Sequence, residues 1–227
     1  MRFRDRTDAG RQLADLLTGY AAESPLVLGL PRGGIPVADQ VARKLGAPLD
    51  VWVVRKVGAP GHAELGLGAV AEGGALFLDR EMMHSLGFSE TEVMQTAERE
   101  AREVAARISR FRGVHPAPAL EGRTVILVDD GVATGGTVRA AIRALRTRWP
   151  RKIVLAVPVG AVESLDSLSA EVDDVVCAHP AEFMSSVGEF YDDFRQTSDE
   201  EVQAVLARMR REQGPESAMN AGDAWWV

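Results

Sequence analysis

A doubly wound α/β fold with a mainly parallel sheet, flanked by helices and carrying a small cover, follows from three features of the sequence. Short apolar runs alternate with longer amphipathic stretches along most of the chain. Several short runs, among them 26–30 and 124–128, are apolar at successive positions, as strands covered on both faces must be. Glycine-rich turns join such runs directly to amphipathic stretches, the strand–turn–helix order of parallel crossovers.

Each element can be justified in turn. Leu13, Leu16, Leu17 and Tyr20 recur at helical spacing and predict a first helix. LVLGL at 26–30 reads as a buried strand, leading through a Gly-Gly turn into a helix over 35–45. LDVWVV at 49–54 is the next strand, with Trp52 in the core and a Gly/Pro-rich loop from Lys56 to Gly61 behind it. Residues 65–79 read as two strands around Gly73 and Gly74, a hairpin.

Over 89–113 a long charged helix is predicted. Ser89 and Glu92 match a capping box and Gly113 a C-terminal stop. Val93, Ala97, Ala101, Val104, Ile108 and Phe111 form its apolar stripe. After the polar linker 115–122 come a strand at 124–128, a glycine-rich turn, a helix over 137–148, and strands at 152–159 and 175–178. Residues 179–197 are irregular and aromatic-rich, and 199–212 read as a helix. The expected organisation is a core over 1–178 with an N-terminal helix, a C-terminal hood segment and helix over 179–213, and a flexible tail over 214–227 that ends in Trp225 and Trp226.

Composition narrows the function classes. The 227 residues hold 26 Lys+Arg against 33 Asp+Glu, a formal charge of −7. Such a chain is a poor general binder of nucleic-acid backbones, so no nucleic-acid partner is expected. The densest basic cluster, Arg146, Arg148, Arg151 and Lys152, reads as a solvated helix end. One cysteine, Cys177, permits no internal disulfide and fits a reducing cytoplasm. The first ten residues hold no apolar signal core. The longest apolar stretch, 153–162, contains Pro158 and Gly160 and is too short to span a bilayer. A cytoplasmic protein without membrane contact is the expectation.

The most informative segment is VILVDDGVATGGT, 125–137. A buried strand ends in two adjacent carboxylates, Asp129 and Asp130, and a helix begins after Gly131, Gly135 and Gly136. The glycines let the backbone approach an anion, and the amides of Thr134 to Thr137 would meet it at the helix's positive end. The hydroxyls of Thr134 and Thr137 add donors. Carboxylates repel a phosphate but accept hydrogen bonds from sugar hydroxyls, so a ribose 5-phosphate unit suits both halves of the segment. No Gly-Lys-Ser/Thr follows, so it is not a Walker A loop, and it is not a GxGxxG fingerprint. The bland alternative is a strand-to-helix turn with capping acids.

Residues 125–137 resemble the signature of the type I phosphoribosyltransferases, and the likeness extends over 25–178. The resemblance implies 5-phosphoribosyl 1-pyrophosphate as donor, with Mg2+ held through the substrate rather than directly by side chains. It implies that Asp129 and Asp130 bind the ribose hydroxyls, and that Ala133, Thr134, Gly135, Gly136 and Thr137 bind the 5-phosphate. A homodimer is expected on the same basis.

Two further loops support this. In LPRGG, 30–34, Arg32 can donate a bidentate pair to a phosphate, and Gly33 and Gly34 expose amides at a helix start. In the family the loop after this strand holds pyrophosphate, often with a strained or cis peptide, which is expected here within 31–33. Arg55 and Lys56 stand at a strand end before a flexible segment able to close over the donor. This segment is similar to the mobile catalytic loop of the orotate enzymes, although its glycine precedes His62 where the family pattern has His-Gly. Arg32, Arg55, Lys56, Asp129 and Asp130 are therefore the expected catalytic set.

The acceptor is less constrained. The hypoxanthine–guanine branch carries an aspartate where this chain has Ala133, and DDGVATGGT is closer to the adenine and orotate branches. A nucleobase-like small molecule is expected, recognised by a hood over 179–195 in which Phe190 and Tyr191 are candidate contacts, or alternatively pack the cover. Two other readings stay open. One is a non-catalytic regulator that senses phosphoribosyl pyrophosphate or a nucleotide. The other is a phosphorylase or hydrolase on the same pocket.

Overall fold

A computed structural model of the chain describes residues 2–213. Trp225, Trp226 and the expected tail lie outside the described residues. The order is α1 (Arg6–Leu16), β1 (Leu26–Gly29), α2 (Gly34–Leu45), β2 (Leu49–Val51), β3 (Val54–Ala59), β4 (His62–Ala71), β5 (Leu76–Leu78), α3 (Arg80–Ser85), α4 (Glu90–Arg112), β6 (Thr124–Val128), α5 (Gly136–Arg146), β7 (Lys152–Ala161), α6 (Val162–Ser169), β8 (Asp174–Ala181) and α7 (Asp199–Gln213).

A five-stranded sheet runs β2-β1-β6-β7-β8, all neighbours parallel. Its central strands are apolar on both faces, and the period-two alternation of side chains divides them between two cores. Leu26, Leu28, Val125 and Leu127 pack on one face with Ile142 and Leu145 of α5. Val27, Ile126 and Val128 pack on the other with Ile35 and Val41 of α2, and α1, α4 and α7 close over that side. Trp52 is buried as expected, its indole N–H donating to the Ala141 carbonyl at 3.2 Å. The chain leaves β1 toward β2 on one side and returns to β6 on the other. Strand order therefore reverses between β1 and β6, opening a crevice at their carboxyl ends.

The second sheet, β3-β4-β5, is antiparallel. The expected hairpin over 65–79 is its β4–β5 pair, joined through a 3₁₀ turn at Glu72–Gly74. The capping box at Ser89 and Glu92 is formed, and Val93, Ala97, Val104 and Phe111 of the expected stripe are buried.

Several expectations are corrected. The run 49–54 is not one strand: β2 stops at Val51 and β3 starts at Val54 in the other sheet. The Gly/Pro-rich loop from Lys56 is largely strand, pairing with β4 through register shifts around Gly58. Its turn falls at Pro60 and Gly61, where Gly61 takes φ 75°. The last strand runs to Ala181, three residues past its expected end. The first helix ends at Leu16, and Thr18–Glu23 is 3₁₀. Helices α3 and α6 have no counterpart in the sequence reading. Pro158 sits in a gap of the β7–β8 ladder, between the Val157–Cys177 and Val159–His179 pairs, and on the other side Val132 bridges to Gly160 beyond the end of β6.

Candidate functional site

Two loops meet in the crevice, one after β1 and one after β6, and glycine is required where they touch. A Cβ on Gly33 would fall 2.0 Å from Asp130 Oδ2, and one on Gly34 would fall 2.7 Å from the Val128 carbonyl oxygen. The Pro31–Arg32 peptide is cis, within the segment where a cis peptide was expected. One expectation fails: the Gly34 amide donates to the Leu30 carbonyl at 3.0 Å, so it is not an open donor for an anion. Its glycine serves backbone contact between the two loops instead.

The acidic pair is partly buried. Asp130 Oδ2 accepts from Arg6 Nε at 2.8 Å, and Asp129 Oδ1 accepts from the Asp130 amide at 2.9 Å. Burial raises the Asp129 carboxyl well above its ordinary range, and the neighbouring Asp130 charge raises it further. Asp130 is also raised by burial, against the opposing pull of the Arg6 guanidinium. Removing water and crowding two carboxylates produce a site that gains from donors such as a vicinal diol.

Downstream of the acids, Gly135 caps α5 in the left-handed region at φ 74°. This turns the chain so that Thr134, Gly136 and Thr137 are exposed at the helix start. The amides of Thr134, Gly135, Gly136 and Thr137 make no hydrogen bond to another segment, and the two threonine hydroxyls have no partner among the described residues. First-turn amides have no intrahelical acceptor, so they are available to an anion. Ala133 lies behind this surface, its carbonyl accepting from Ser164 Oγ at 2.6 Å.

Two cavities open beside these loops and share Pro31 and Arg107. The first, about 500 Å³, lies between the β1 loop, the C-terminal part of α4 and residues 194–199, with Asp130 on its wall. The second, about 570 Å³, lies under the β3–β4 hairpin and holds Arg55, Lys56, His62 and Thr137. Arg55 Nε donates to Glu100 Oε2 at 2.8 Å, and Arg32 Nη1 to Asp199 Oδ1 at 3.4 Å. Lys56 is exposed on the hairpin.

Of the two readings of Phe190 and Tyr191, the structure shows the packing one. Tyr191 is 2% exposed, its ring 5.4 Å from that of Phe3. Its hydroxyl donates to the Asp130 main-chain carbonyl at 2.6 Å, and burial raises its pKa. Phe190 packs near His179, ring centroids 5.7 Å apart. Neither lines the two cavities, because a bridge between Phe3 and Tyr191 draws this segment onto the N-terminus. Phe194 lines the first cavity instead, with the Arg6 guanidinium stacked 4.0 Å from its ring centroid.

Sequence reasoning missed Arg6, Arg107, Arg110 and Asp199. For Arg107 and Arg110 the signal available was their helical spacing with Thr96, Arg99 and Glu100, which places them on one polar face of α4 beside the apolar stripe; Arg6 and Asp199 had no local signal.

Among the described residues no group of three or more His, Cys, Asp or Glu is arranged to hold a metal ion. Likewise, no helix among them is long and apolar enough to cross a membrane.

Comparison with known proteins adds lineage to this geometry. The family model described as "Phosphoribosyl transferase domain" matches residues 7–195. A Mycobacterium tuberculosis protein named provisionally as a phosphoribosyl transferase is 42% identical over 220 residues, 96% of this chain and 49% of its own length. The chain thus spans about half the length of the curated relatives it matches. A transcriptional regulator of Haloferax volcanii is 27% identical over 164 residues, 71% of this chain and 58% of that one. The crystal structure of a Thermus thermophilus protein superposes with a TM-score of 0.84 at 46% identity, covering 92% of this chain and 99% of that one.

Proposed function

The chain belongs to the phosphoribosyl transferase domain family, and on that premise we propose that it transfers the 5-phosphoribosyl group of 5-phosphoribosyl 1-pyrophosphate to a nucleobase-like acceptor, with release of pyrophosphate and dependence on Mg2+. The observation that carries this reading is the juxtaposition at the β1–β6 switch: two desolvated carboxylates followed at once by unpartnered amides at the start of α5. A diol and a phosphate a few ångströms apart, as on a ribose 5-phosphate, satisfy both.

In this reading Asp129 and Asp130 accept hydrogen bonds from the ribose hydroxyls and fix the ring. The amides and hydroxyls of Thr134 to Thr137 hold the 5-phosphate. As the bond from C1 to the pyrophosphate oxygen breaks, its electron pair leaves on pyrophosphate. An acceptor nitrogen lone pair forms the new bond to C1, and the nitrogen's proton passes to pyrophosphate or water. Positive charge builds on the sugar, as in glycoside cleavage. The acids oppose that charge, while Arg32, Arg55 and Lys56 oppose the negative charge on the leaving group. Each preorganised contact of this kind is worth about 3 kcal/mol of barrier. The β3–β4 hairpin excludes water from the reacting carbon when it closes.

Mg2+ prefers oxygen ligands and keeps several waters, which fits a donor set of the ligand's own phosphate oxygens beside Asp129 and Asp130. When bound it neutralises pyrophosphate charge.

The test is incubation with donor, Mg2+ and a panel of bases, with pyrophosphate release as the readout. Release that is lost in Asp130→Asn and Arg32→Ala variants supports transfer. Tight donor binding with no release from any acceptor favours a sensor of phosphoribosyl pyrophosphate. The similarity to the Haloferax volcanii regulator is the observation on that side.

A further inference from the structure

The parallel sheet ends on β8, whose outer edge is open. The Asp173 amide donates to the Ile153 carbonyl of β7 at 2.9 Å, and main-chain groups alternate sides along a strand. Residues 175, 177 and 179 therefore bond toward β7, while Asp174, Val176, Ala178 and Pro180 face away from it. Among the described residues no other segment hydrogen-bonds to the outward amides or carbonyls of Val176 and Ala178. The usual defences of an edge are missing from its middle: 175–179 hold no lysine or proline and keep one register with β7. The opposite edge, β2, is closed, its outward Val51 carbonyl accepting from Arg112 Nη2 at 3.2 Å.

Apolar side chains border this edge on both faces of the sheet. Val176 and Ala178 pack toward the core under α2, and Val175 and Cys177 toward the core under α5, all four only partly buried. Leu16 of α1 is 55% exposed. It lies two helical turns after Ala9, which packs with Ala181 of β8, so both occupy the β8 side of α1. A row of unpaired main-chain groups inside an apolar border fits another strand. We propose that this strand is β8 of a second copy of the chain, paired antiparallel about a two-fold axis at Cys177.

The edge is self-complementary in that register. Val176 and Ala178 of one copy face Ala178 and Val176 of the other, and each facing pair exchanges both main-chain hydrogen bonds, which satisfies every outward group of the two residues. Cys177 faces its counterpart at a non-hydrogen-bonded position. Val175 faces His179, and the acids Asp173 and Asp174 face Ala181 and Pro180, so no like charges are opposed. Pro180, with no N–H to give, falls at the rim of the pairing. Such an isologous contact joins two five-stranded sheets into one and removes the exposed edge. Antiparallel pairing points the two crevices in opposite directions, so neither copy completes the other's site. The family resemblance implies a homodimer without naming a surface, and this surface is assigned independently of the reading under Proposed function.

The test is sedimentation equilibrium of the full chain over a range of concentrations, together with amide hydrogen exchange resolved to single residues. A dimer is expected, in which the Val176 and Ala178 amides exchange about tenfold or more slowly above the dissociation constant than below it. Ala178→Pro removes an outward N–H that the single chain does not use, and Leu16→Glu places a charge on the apolar border. Each is expected to weaken association by about tenfold or more and to return fast exchange at Val176. Val114→Glu, at a 99% exposed position two residues past Arg112 and so near the β2 edge, leaves association unchanged. A chain that stays monomeric at millimolar concentration overturns the proposal. So does a dimer that Ala178→Pro and Leu16→Glu leave intact, or one in which exchange at Val176 and Ala178 is independent of concentration, since either result places the contact on another face. If Ala178→Pro does not fold, Leu16→Glu and exchange in the parent decide by the same criteria.

Discussion

Arg6 and Asp130 stand 124 residues apart in the chain, yet the Arg6 Nε lies 2.8 Å from Asp130 Oδ2, with side-chain exposures of 11% and 15%. The same guanidinium donates to the Arg195 carbonyl at 2.7 Å and stacks on Phe194. One cation therefore ties the N-terminal helix, the acidic pair and the segment before α7 together. It also favours the ionised form of a desolvated carboxylate where the ribose is proposed to bind.

Removing that cation leaves a partly buried charge unpaired. Arg6→Ala is expected to cost about 2 kcal/mol, below the range for fully buried pairs because both groups keep some solvent. Asp130→Asn added to Arg6→Ala should recover part of the loss, since an amide is cheaper to bury alone. Urea denaturation of the two single variants and the double variant measures the coupling.

The close approach of the two loops gives a steric prediction. Gly33→Ala places a methyl carbon 2.0 Å from Asp130 Oδ2, so the carboxylate must move. Donor affinity is expected to fall by about tenfold or more, with stability changed less than in Gly34→Ala, whose Cβ meets the fixed Val128 carbonyl at 2.7 Å. Calorimetric titration with Mg2+ and donor, alongside thermal melts, separates the two. Equal donor affinity in Gly33→Ala and the parent would show that Asp130 does not hold the ribose.

How much of this was legible beforehand depended on whether the partner was near in sequence. Ser89 and Glu92 are three residues apart and announced the start of α4; Asp129 to Thr137 are contiguous and announced the crevice. In β3 the density of Gly58, Pro60 and Gly61 mimics a loop, because the residues that pair with it, 62–71, complete the strand only after the chain turns. Arg107 is only half legible: its spacing with Thr96, Arg99, Glu100 and Arg110 marks a polar face of α4 but not what that face meets. On a helix with charges over most of its surface, local pattern does not separate a charge facing a cavity from one facing water. For Tyr191 the sequence leaves two readings open, because aromatic residues before a helix suit stacking and packing equally, and the bridge to Phe3 that decides for packing is a contact between distant parts of the chain.

The acidic pair makes stability and binding respond to pH in opposite directions. Asp129 is raised from the ordinary value of 3.8 by burial and by Asp130. Between 3.8 and the folded value the native state keeps a proton that the unfolded chain has lost. Stability is then full below the unfolded value and declines as pH rises through the folded one. Asp129→Asn should therefore melt about 2–4 °C above the parent near neutral pH, for each kcal/mol removed, with the gap closing toward pH 4. Donor binding needs the ionised form, so it should strengthen over the same rise in pH, and more steeply in the parent than in Asp129→Asn. Melting temperature and donor affinity followed across one pH series test both signs together.

The carboxylates that neutralise the site cations compete with an incoming anion. Asp199 at the start of α7 accepts from Arg32 and Arg110, and the Arg110 hydrogen bond holds its carboxyl below the usual carboxylate range against a smaller opposing effect of desolvation. It is therefore ionised at neutral pH, and a bound pyrophosphate must take Arg32 from it. Asp199→Asn releases both guanidinium groups and is expected to tighten Mg2+-pyrophosphate binding by about threefold to tenfold at low salt, the gain shrinking as ionic strength rises. Glu100→Gln, which frees Arg55, should act in the same direction at the hairpin. Weaker pyrophosphate binding in Asp199→Asn would instead mean that this carboxylate aims Arg32 at the ligand, and the steepness of the salt dependence distinguishes a lost competitor from a lost support.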